Sequence, residues 1–402
     1  MSDFYIARQP IYDRNLYVYA YELLYRSSEH NQAVIEDGDD ATAQVLVNAL
    51  IEIGLPDLVD KSLAFINLTR QHILNGLPPS LTQENVVLEV LEDVVADEEL
   101  ITALKKFKKQ GFTIALDDFV SHESKLPMVE LADIIKIDVL DQKGPALAEQ
   151  VKLLRPYDIK LLAEKIETPE DFEYCKALGF DYYQGYFFCK PNIIRGERTP
   201  SSRMAIIQLL GKLQDPDLGL DELQQLISQD VSLSYRILRY INSAHFSMGQ
   251  KIDSIQQAIN LIGLNTIKTW VAILAMSSID DKPYELILTA LIRARMCESL
   301  SANTTISADN AFTVGLFSVL DAFIDLPMEV ILAALPLADE LHNALLDHQG
   351  ELGQLLYLTQ QYERGLWQNV SDDRFDANSL RNAYIKSIRW AGELSDSMIK
   401  EH

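Results

Sequence analysis

Between residues 62 and 188 short apolar, strand-like runs recur at 62–68, 86–91, 112–119, 134–139, 159–164 and 182–188, with amphipathic segments such as 100–109 between them. This alternation constrains the fold more than any other feature of the sequence. Parallel neighbours need a long crossover, usually a helix, whereas antiparallel ones need only a turn, so strand and helix alternating at this spacing mean a parallel sheet. Two further runs, 4–12 and 16–24, read as an opening hairpin turned at Asp13-Arg14-Asn15, and residues 39–53 have helical periodicity. Six or more such units in under 200 residues predict an α/β fold closed into a TIM-like barrel, with a doubly wound open sheet as the alternative.

Each run also carries a polar residue among apolar ones. Asn67 lies in Phe65-Ile66-Asn67-Leu68, Glu89 in Val87-Leu88-Glu89-Val90, Lys136 in Ile135-Lys136-Ile137, Glu164 in Leu162-Ala163-Glu164 and Gln184 in Tyr183-Gln184-Gly185, while Asp117 and Asp118 end the run 112–119. Successive strand residues point to opposite faces, so two adjacent aspartates reach one ligand only where the strand is ending. From Asn67 through Glu89, Asp117, Lys136 and Glu164 to Gln184 the separations are 22, 28, 19, 28 and 20 residues, about one strand-helix unit each. That is the pattern of a barrel site assembled from the carboxyl ends of several strands. One buried Glu or Lys is ordinarily half of a structural ion pair, and one Asp-Asp after a strand ordinarily caps a helix. A polar group on each of six strands is harder to explain that way.

Charge and composition exclude other classes. A formal charge of −24 repels nucleic-acid backbones. The three cysteines, Cys175, Cys189 and Cys297, lie far apart without metal spacing, which fits a reducing compartment. The N-terminus lacks a basic-then-apolar signal pattern, and the most apolar region, 311–338, is interrupted by Asp321, Asp325 and Glu329, too often for a membrane span. The expectation is a cytoplasmic protein with no nucleic-acid or membrane partner.

At these residues the chain resembles a known family. Tyr21-Glu22-Leu23-Leu24-Tyr25-Arg26 is similar to the Glu-Ala-Leu-Leu-Arg signature of EAL domains, the cyclic-di-GMP phosphodiesterases built on a modified barrel, and Asn67, Glu89, Asp117-Asp118, Lys136, Glu164 and Gln184 follow in the family's order and spacing. The resemblance covers residues 1–195. It implies that Glu22, Asn67, Glu89 and Asp117 are metal ligands, with Asp118 beside a second metal and Glu164 a further acidic group at the metals. It implies that Lys136 orients the attacking water, that Gln184 positions that water and contacts substrate, and that Arg26 is a phosphate contact. Five carboxylates around one lysine are untenable when ionised unless cations neutralise them or their pKa values rise. Oxygen ligation selects hard Mg²⁺ or Mn²⁺, and two such ions would clamp the attacking and leaving oxygens of a phosphodiester.

The chain departs from the family at the loop after Asp118. A Gly-Thr-Gly-Tyr-Ser-Ser stretch, which in active relatives helps hold the metals and join subunits, is replaced by Val120-Ser121-His122-Glu123-Ser124-Lys125, and the segment up to Lys136 is about two residues short. Lys165 also stands where the family has glycine. Three functions are therefore open: metal-dependent cyclic-di-GMP binding with weak or no hydrolysis, active hydrolysis to linear pGpG, or a protein-interaction scaffold independent of nucleotide. A homodimer is compatible with each.

Residues 196–202, Gly-Glu-Arg-Thr-Pro-Ser-Ser, read as a linker, and from residue 203 to 402 the pattern is helical throughout. Ser254 and Gln257 make a capping box. Asp215-Pro216-Asp217, 227–230, 241–246 and 255–263 together are similar to an HDOD domain, an all-helical relative of HD phosphohydrolases without their metal ligands; the resemblance is good to about residue 280. It implies an output module acting through an unknown protein partner, in a bacterial-type signalling protein. His245, His342 and His348 read as structural or solvated, Trp270 and Met276 as core, and 311–338 as either core or partner surface.

Overall fold

The computed structural model describes residues 4–27, 53–77, 81–92, 94–117, 119, 126–190, 201–242, 252–279, 282–302, 304–370, 372 and 374–398. The chain forms two compact units. One comprises Met1–Phe188 with Gln361–Asn382, the other Cys189–Gln360 with Ala383–His402.

The first unit is a closed barrel of eight strands in sequence order: β1 (Phe4–Tyr12), β2 (Val18–Ser27), β3 (Leu63–Leu68), β4 (Val86–Val90), β5 (Thr113–Leu116), β6 (Ile134–Asp138), β7 (Lys160–Glu164) and β8 (Tyr182–Gln184). From β2 to β8 neighbours pair in parallel, whereas β1 runs antiparallel to both β2 and β8 and so closes the ring. The open doubly wound sheet is thereby replaced by a barrel with one reversed strand. The hairpin turns where expected, because Asp13 Oδ1 accepts from the amides of Asn15 (2.8 Å) and Tyr17 (3.0 Å). The helix Glu98–Lys109 starts at Asp97, whose side chain accepts from the Leu100 amide, and buries Leu100, Leu104 and Phe107 at helical spacing.

Two strands end earlier than the apolar runs do. β5 stops at Leu116, and Phe119 donates its amide to the Lys136 carbonyl at 3.1 Å instead of continuing the ladder. β8 stops at Gln184 because Gly185 takes φ 151 and the chain passes into a short 3-10 helix, Phe187–Cys189. The helix expected at 39–53 lies almost entirely outside the described residues, as do Asp118 and residues 120–125.

Inside the barrel, Ile11, Ala20, Phe65, Val87, Ala115, Ile134 and Leu162 form a buried layer, with Tyr182 packed against it. The strand period of two then dictates what lies above. Two residues after each of these on β2 to β8 come Glu22, Asn67, Glu89, Asp117, Lys136, Glu164 and Gln184, on the same inward face.

The segment Gln361–Asn382 belongs to the barrel unit although the chain on either side does not. Trp367 is buried and stacks on Tyr5 (ring centroids 5.8 Å apart, 17° between planes), and the Tyr362 hydroxyl accepts the Ile6 amide at 3.4 Å.

The second unit is helical throughout its described residues, from Ser201–Gln214 onward. Val314, Leu316, Phe317, Phe323, Ile324 and Ile331 are buried, so the apolar stretch 311–338 supplies core. Trp270 and Met276 are buried too. Ser254 Oγ accepts from the Gln257 amide at 3.2 Å, while the Gln257 side chain takes the amide of Asp253 and not of Ser254, a box offset by one residue. His348 pairs with Gln360 at 2.9 Å and packs edge-on against Tyr357; His245 lies outside the described residues. Among the described residues no helix is long and apolar enough to cross a membrane.

Candidate functional site

Lys136 is the centre of the polar ring and is 1% exposed. Its Nζ meets Glu164 Oε1 at 2.8 Å, Asp117 Oδ1 at 2.9 Å and Glu22 Oε2 at 3.3 Å, and pairs most closely with Glu89. Four carboxylates from four strands thus converge on one ammonium. Gln184 Nε2 donates to Glu22 Oε2 at 2.6 Å, and Asn67 Nδ2 to Glu22 Oε1 at 3.2 Å. Glu22, Asn67, Glu89, Asp117, Lys136, Glu164 and Gln184 are therefore brought together. Asp118 lies outside the described residues. Arg26 is not in the ring; it stands four residues further along β2, where its Nη1 reaches Gln368 Oε1 at 3.5 Å.

The electrostatics follow from burial and crowding. Burial is the largest influence on Glu89 and, with the neighbouring Glu22, holds its carboxyl well above the ordinary range despite Lys136. Burial likewise pushes Glu164 up to about 8, Lys136 opposing and Asp117 and Glu22 adding to the rise. For Lys136 burial alone would lower the pKa, but Glu164, Glu22, Glu89 and Asp117 outweigh it and the ammonium is held well above its usual value. One lysine cannot neutralise four carboxylates, so the site binds protons or cations in preference to standing fully ionised.

Three buried oxygens in the ring, Asn67 Oδ1, Glu89 Oε2 and Gln184 Oε1, have no hydrogen-bond partner. Unpaired buried acceptors are costly, and hard oxygens under excess negative charge suit a hard divalent cation. Among the described residues no three His, Cys, Asp or Glu side chains are arranged as a metal ligand set, because the carboxylates point at Lys136. The donor chemistry, carboxylates of Glu22, Glu89, Asp117 and Glu164 with the amide oxygens of Asn67 and Gln184, would suit a hard divalent cation.

Some participants escaped the sequence reading. Gln9 lies opposite Glu22 in the β1–β2 register, and its Oε1 accepts from Gln184 at 3.2 Å. Gln150 Nε2 donates to the Phe119 carbonyl at 2.6 Å, tying down the chain just after Asp117. Asp138 accepts from Lys165 at 2.5 Å and from the amide of Leu140 at 2.7 Å. Lys165 itself sits at φ 55, a left-handed conformation that glycine adopts more readily. A polar pair, Arg8-Gln9, inside the otherwise apolar β1 was the available signal for Gln9.

Residues 2–191 match the model of the EAL domain and residues 199–325 that of the HDOD domain. The chain is 36% identical to the uncharacterized protein YuxH of Bacillus subtilis, over 98% of this chain and 99% of that one. It is 33% identical to the cyclic di-GMP phosphodiesterase CdgJ of Vibrio cholerae, over 97% of this chain and 93% of that one. A solved structure of the Bacillus subtilis YkuI protein, with an EAL domain and in complex with c-di-GMP and calcium, is 20% identical, covers 56% of this chain and 72% of that one, and gives a TM-score of 0.38.

Proposed function

The chain belongs to the EAL family, in the form that carries an HDOD domain behind the barrel, and from that premise we propose that its barrel binds cyclic-di-GMP with divalent-metal dependence and hydrolyses it slowly or not at all. The observation that carries this reading is the convergence of four carboxylates, two amides and one buried lysine from seven strands on one point. Such a cluster is unfavourable to stability unless it serves a ligand, since each buried charge loses its hydration. Glu22, Asn67, Glu89, Asp117 and Glu164 are the residues that would hold Mg²⁺ or Mn²⁺, with Asp118 from the sequence pattern beside them. Bound there, the cations would supply charge neutralisation and polarisation of the phosphodiester. Lys136 orients the group that approaches phosphorus, Gln184 holds it on the side of Glu22, and Arg26 meets a phosphate oxygen.

Slow turnover is supported by the sequence after Asp118, where Val120 to Lys125 replace the glycines of the family and the run to Lys136 is short. Binding tolerates small misplacement of a catalytic group, but chemistry does not, and an error of about 1 Å costs on the order of 100-fold in rate. The second reading, an active phosphodiesterase releasing linear pGpG, is favoured by the nearly full-length likeness to CdgJ. The helical half would then relay occupancy to a protein partner. Titration of the full chain with cyclic-di-GMP, with and without Mg²⁺ or Mn²⁺, followed by product analysis, tests both readings. Metal-dependent binding with intact dinucleotide recovered is the expected result; rapid formation of pGpG would establish the second reading, and no binding at any metal concentration would leave a nucleotide-independent scaffold.

A further inference from the structure

The barrel unit is completed by a segment from far along the chain. The helix Gly350–Glu363 leaves the helical unit and ends in the segment Gln361–Asn382, and the helix Ala377–Met398 begins there and returns to the helical unit. Both ends of this strap are thus continuous with helices of the other unit. Its middle is anchored on the first barrel hairpin by the stack of Trp367 on Tyr5, and it also meets the chain two residues beyond Gln184, where the Tyr186 hydroxyl donates to the Glu363 carbonyl at 3.3 Å.

Next to buried Trp367 is the exposed Gln368, whose Oε1 accepts from Arg26 Nη1 at 3.5 Å. Arg26 follows Glu22 by four residues on the same face of β2, roughly 13 Å further along the strand. It therefore stands beyond the polar ring, at the end of the barrel where the carboxyl ends of the parallel strands open. A neutral amide is suited to this place. A carboxylate at this place would set a second negative charge against the guanidinium, whereas an amide oxygen accepts from it and adds none.

We propose that Gln368 is a positioning residue of the dinucleotide site, holding Arg26 for a phosphate, and that the strap carrying it reports occupancy of the barrel to the two helices continuous with it. This rests on the reading of the barrel as a cyclic-di-GMP site and extends that site to a residue well outside the EAL match at 2–191. A phosphate on Arg26 restrains Gln368 and the strap around it, and a strap so restrained limits the motions of Gly350–Glu363 and Ala377–Met398 in the same step.

The test uses the full chain with cyclic-di-GMP and Mg²⁺, comparing wild type, Gln368→Ala, Gln368→Glu, Arg26→Ala and the Arg26→Ala/Gln368→Ala double variant, with amide hydrogen exchange over residues 350–398. Gln368 is exposed, so its variants keep the fold. Gln368→Ala should weaken binding by about three- to ten-fold, as loss of one partly solvated hydrogen bond to a charged group does. Gln368→Glu should weaken it further, with a steeper dependence on salt, and in the Arg26→Ala background Gln368→Ala should add nothing. Ligand should slow exchange across 361–370 in wild type and not in Gln368→Ala. Wild type that binds while Gln368→Ala stays within about two-fold of it, or losses that add in the double variant, would overturn the positioning role alone. Binding without any change in strap exchange would overturn the relay. Absence of binding by wild type would overturn the reading of the barrel and this inference with it.

Discussion

Gly185 and Ile166 meet backbone to backbone: a Cβ on Gly185 would stand 2.0 Å from the Ile166 carbonyl oxygen, and the Ile166 amide donates to the Gln184 carbonyl at 3.0 Å. This contact sets where β8 ends and hence where Gln184 hangs its side chain against Glu22. Gly185→Ala should cost about 1–3 kcal/mol, the usual cost of overpacking, with the strain of φ 151 added. Because the chain must shift to admit the methyl, cyclic-di-GMP binding should weaken along with stability. Urea unfolding and a titration measure the two; a variant with wild-type values in both would mean that the backbone there is free to relax.

Removing Lys136 should unbalance the ring. Lys136→Met leaves Glu22, Glu89, Asp117 and Glu164 without their shared ammonium, and breaking a buried ion pair on one side typically costs about 3–5 kcal/mol. Protonation of the carboxylates relieves the repulsion, so the loss should be larger at pH 8 than at pH 5. Thermal melts of both proteins at the two pH values would decide this, and an equal loss at both would show that the carboxylates are not the source.

The raised carboxyl of Glu164 makes a separate statement about the metal-free protein. Its pKa goes from 4.5 to about 8 on folding, so between those values the folded state holds a proton that the unfolded state has released. Stability from this group is complete below about 4.5 and is lost as pH rises through about 8. Glu89, shifted the same way, adds to the slope. The melting temperature of the metal-free chain should therefore fall from pH 5 to pH 8, by at least the roughly 2–4 °C that one kcal/mol is worth in a domain of this size. Glu164→Gln should flatten the fall. A melting temperature that rises over this range would contradict the assignment.

Strand period and strand spacing made most of the barrel legible. An apolar residue facing the barrel interior, followed two positions later by a polar one, is visible in Phe65/Asn67, Val87/Glu89, Ala115/Asp117, Ile134/Lys136 and Leu162/Glu164, and the structure places each pair in adjacent layers. What lay hidden depends on contacts without a sequence period. Gln9 joins the ring through its cross-strand register with Glu22. β5 ends early where the Phe119 amide turns to the Lys136 carbonyl, and β8 where Gly185 takes φ 151 against Ile166, neither of which an apolar run announces. The strap was illegible because Tyr5 and Trp367 are brought together only by the folded chain, and nothing local in Leu366-Trp367-Gln368 distinguishes a barrel contact from a turn between helices.

The last expectation concerns metal and turnover together. If Glu22, Asn67, Glu89 and Asp117 take up divalent cations, millimolar Mg²⁺ or Mn²⁺ should raise the melting temperature, since a ligand held by the folded state alone stabilises it in proportion to its occupancy. Asp117→Asn should lose most of that gain while retaining the fold, because its side chain is partly exposed and an amide of the same shape keeps the packing. The unmodified protein should bind cyclic-di-GMP in metal and convert it slowly. Replacing residues 120–125 by Gly-Thr-Gly-Tyr-Ser-Ser and restoring about two residues before Lys136 should raise the rate more than the affinity, because a loss confined to the transition state lowers kcat and leaves ground-state binding in place. Single-turnover assays with calorimetry separate the two quantities. If affinity rises as much as rate, the loop acts in binding; if neither changes, the slow step lies in the ring around Lys136.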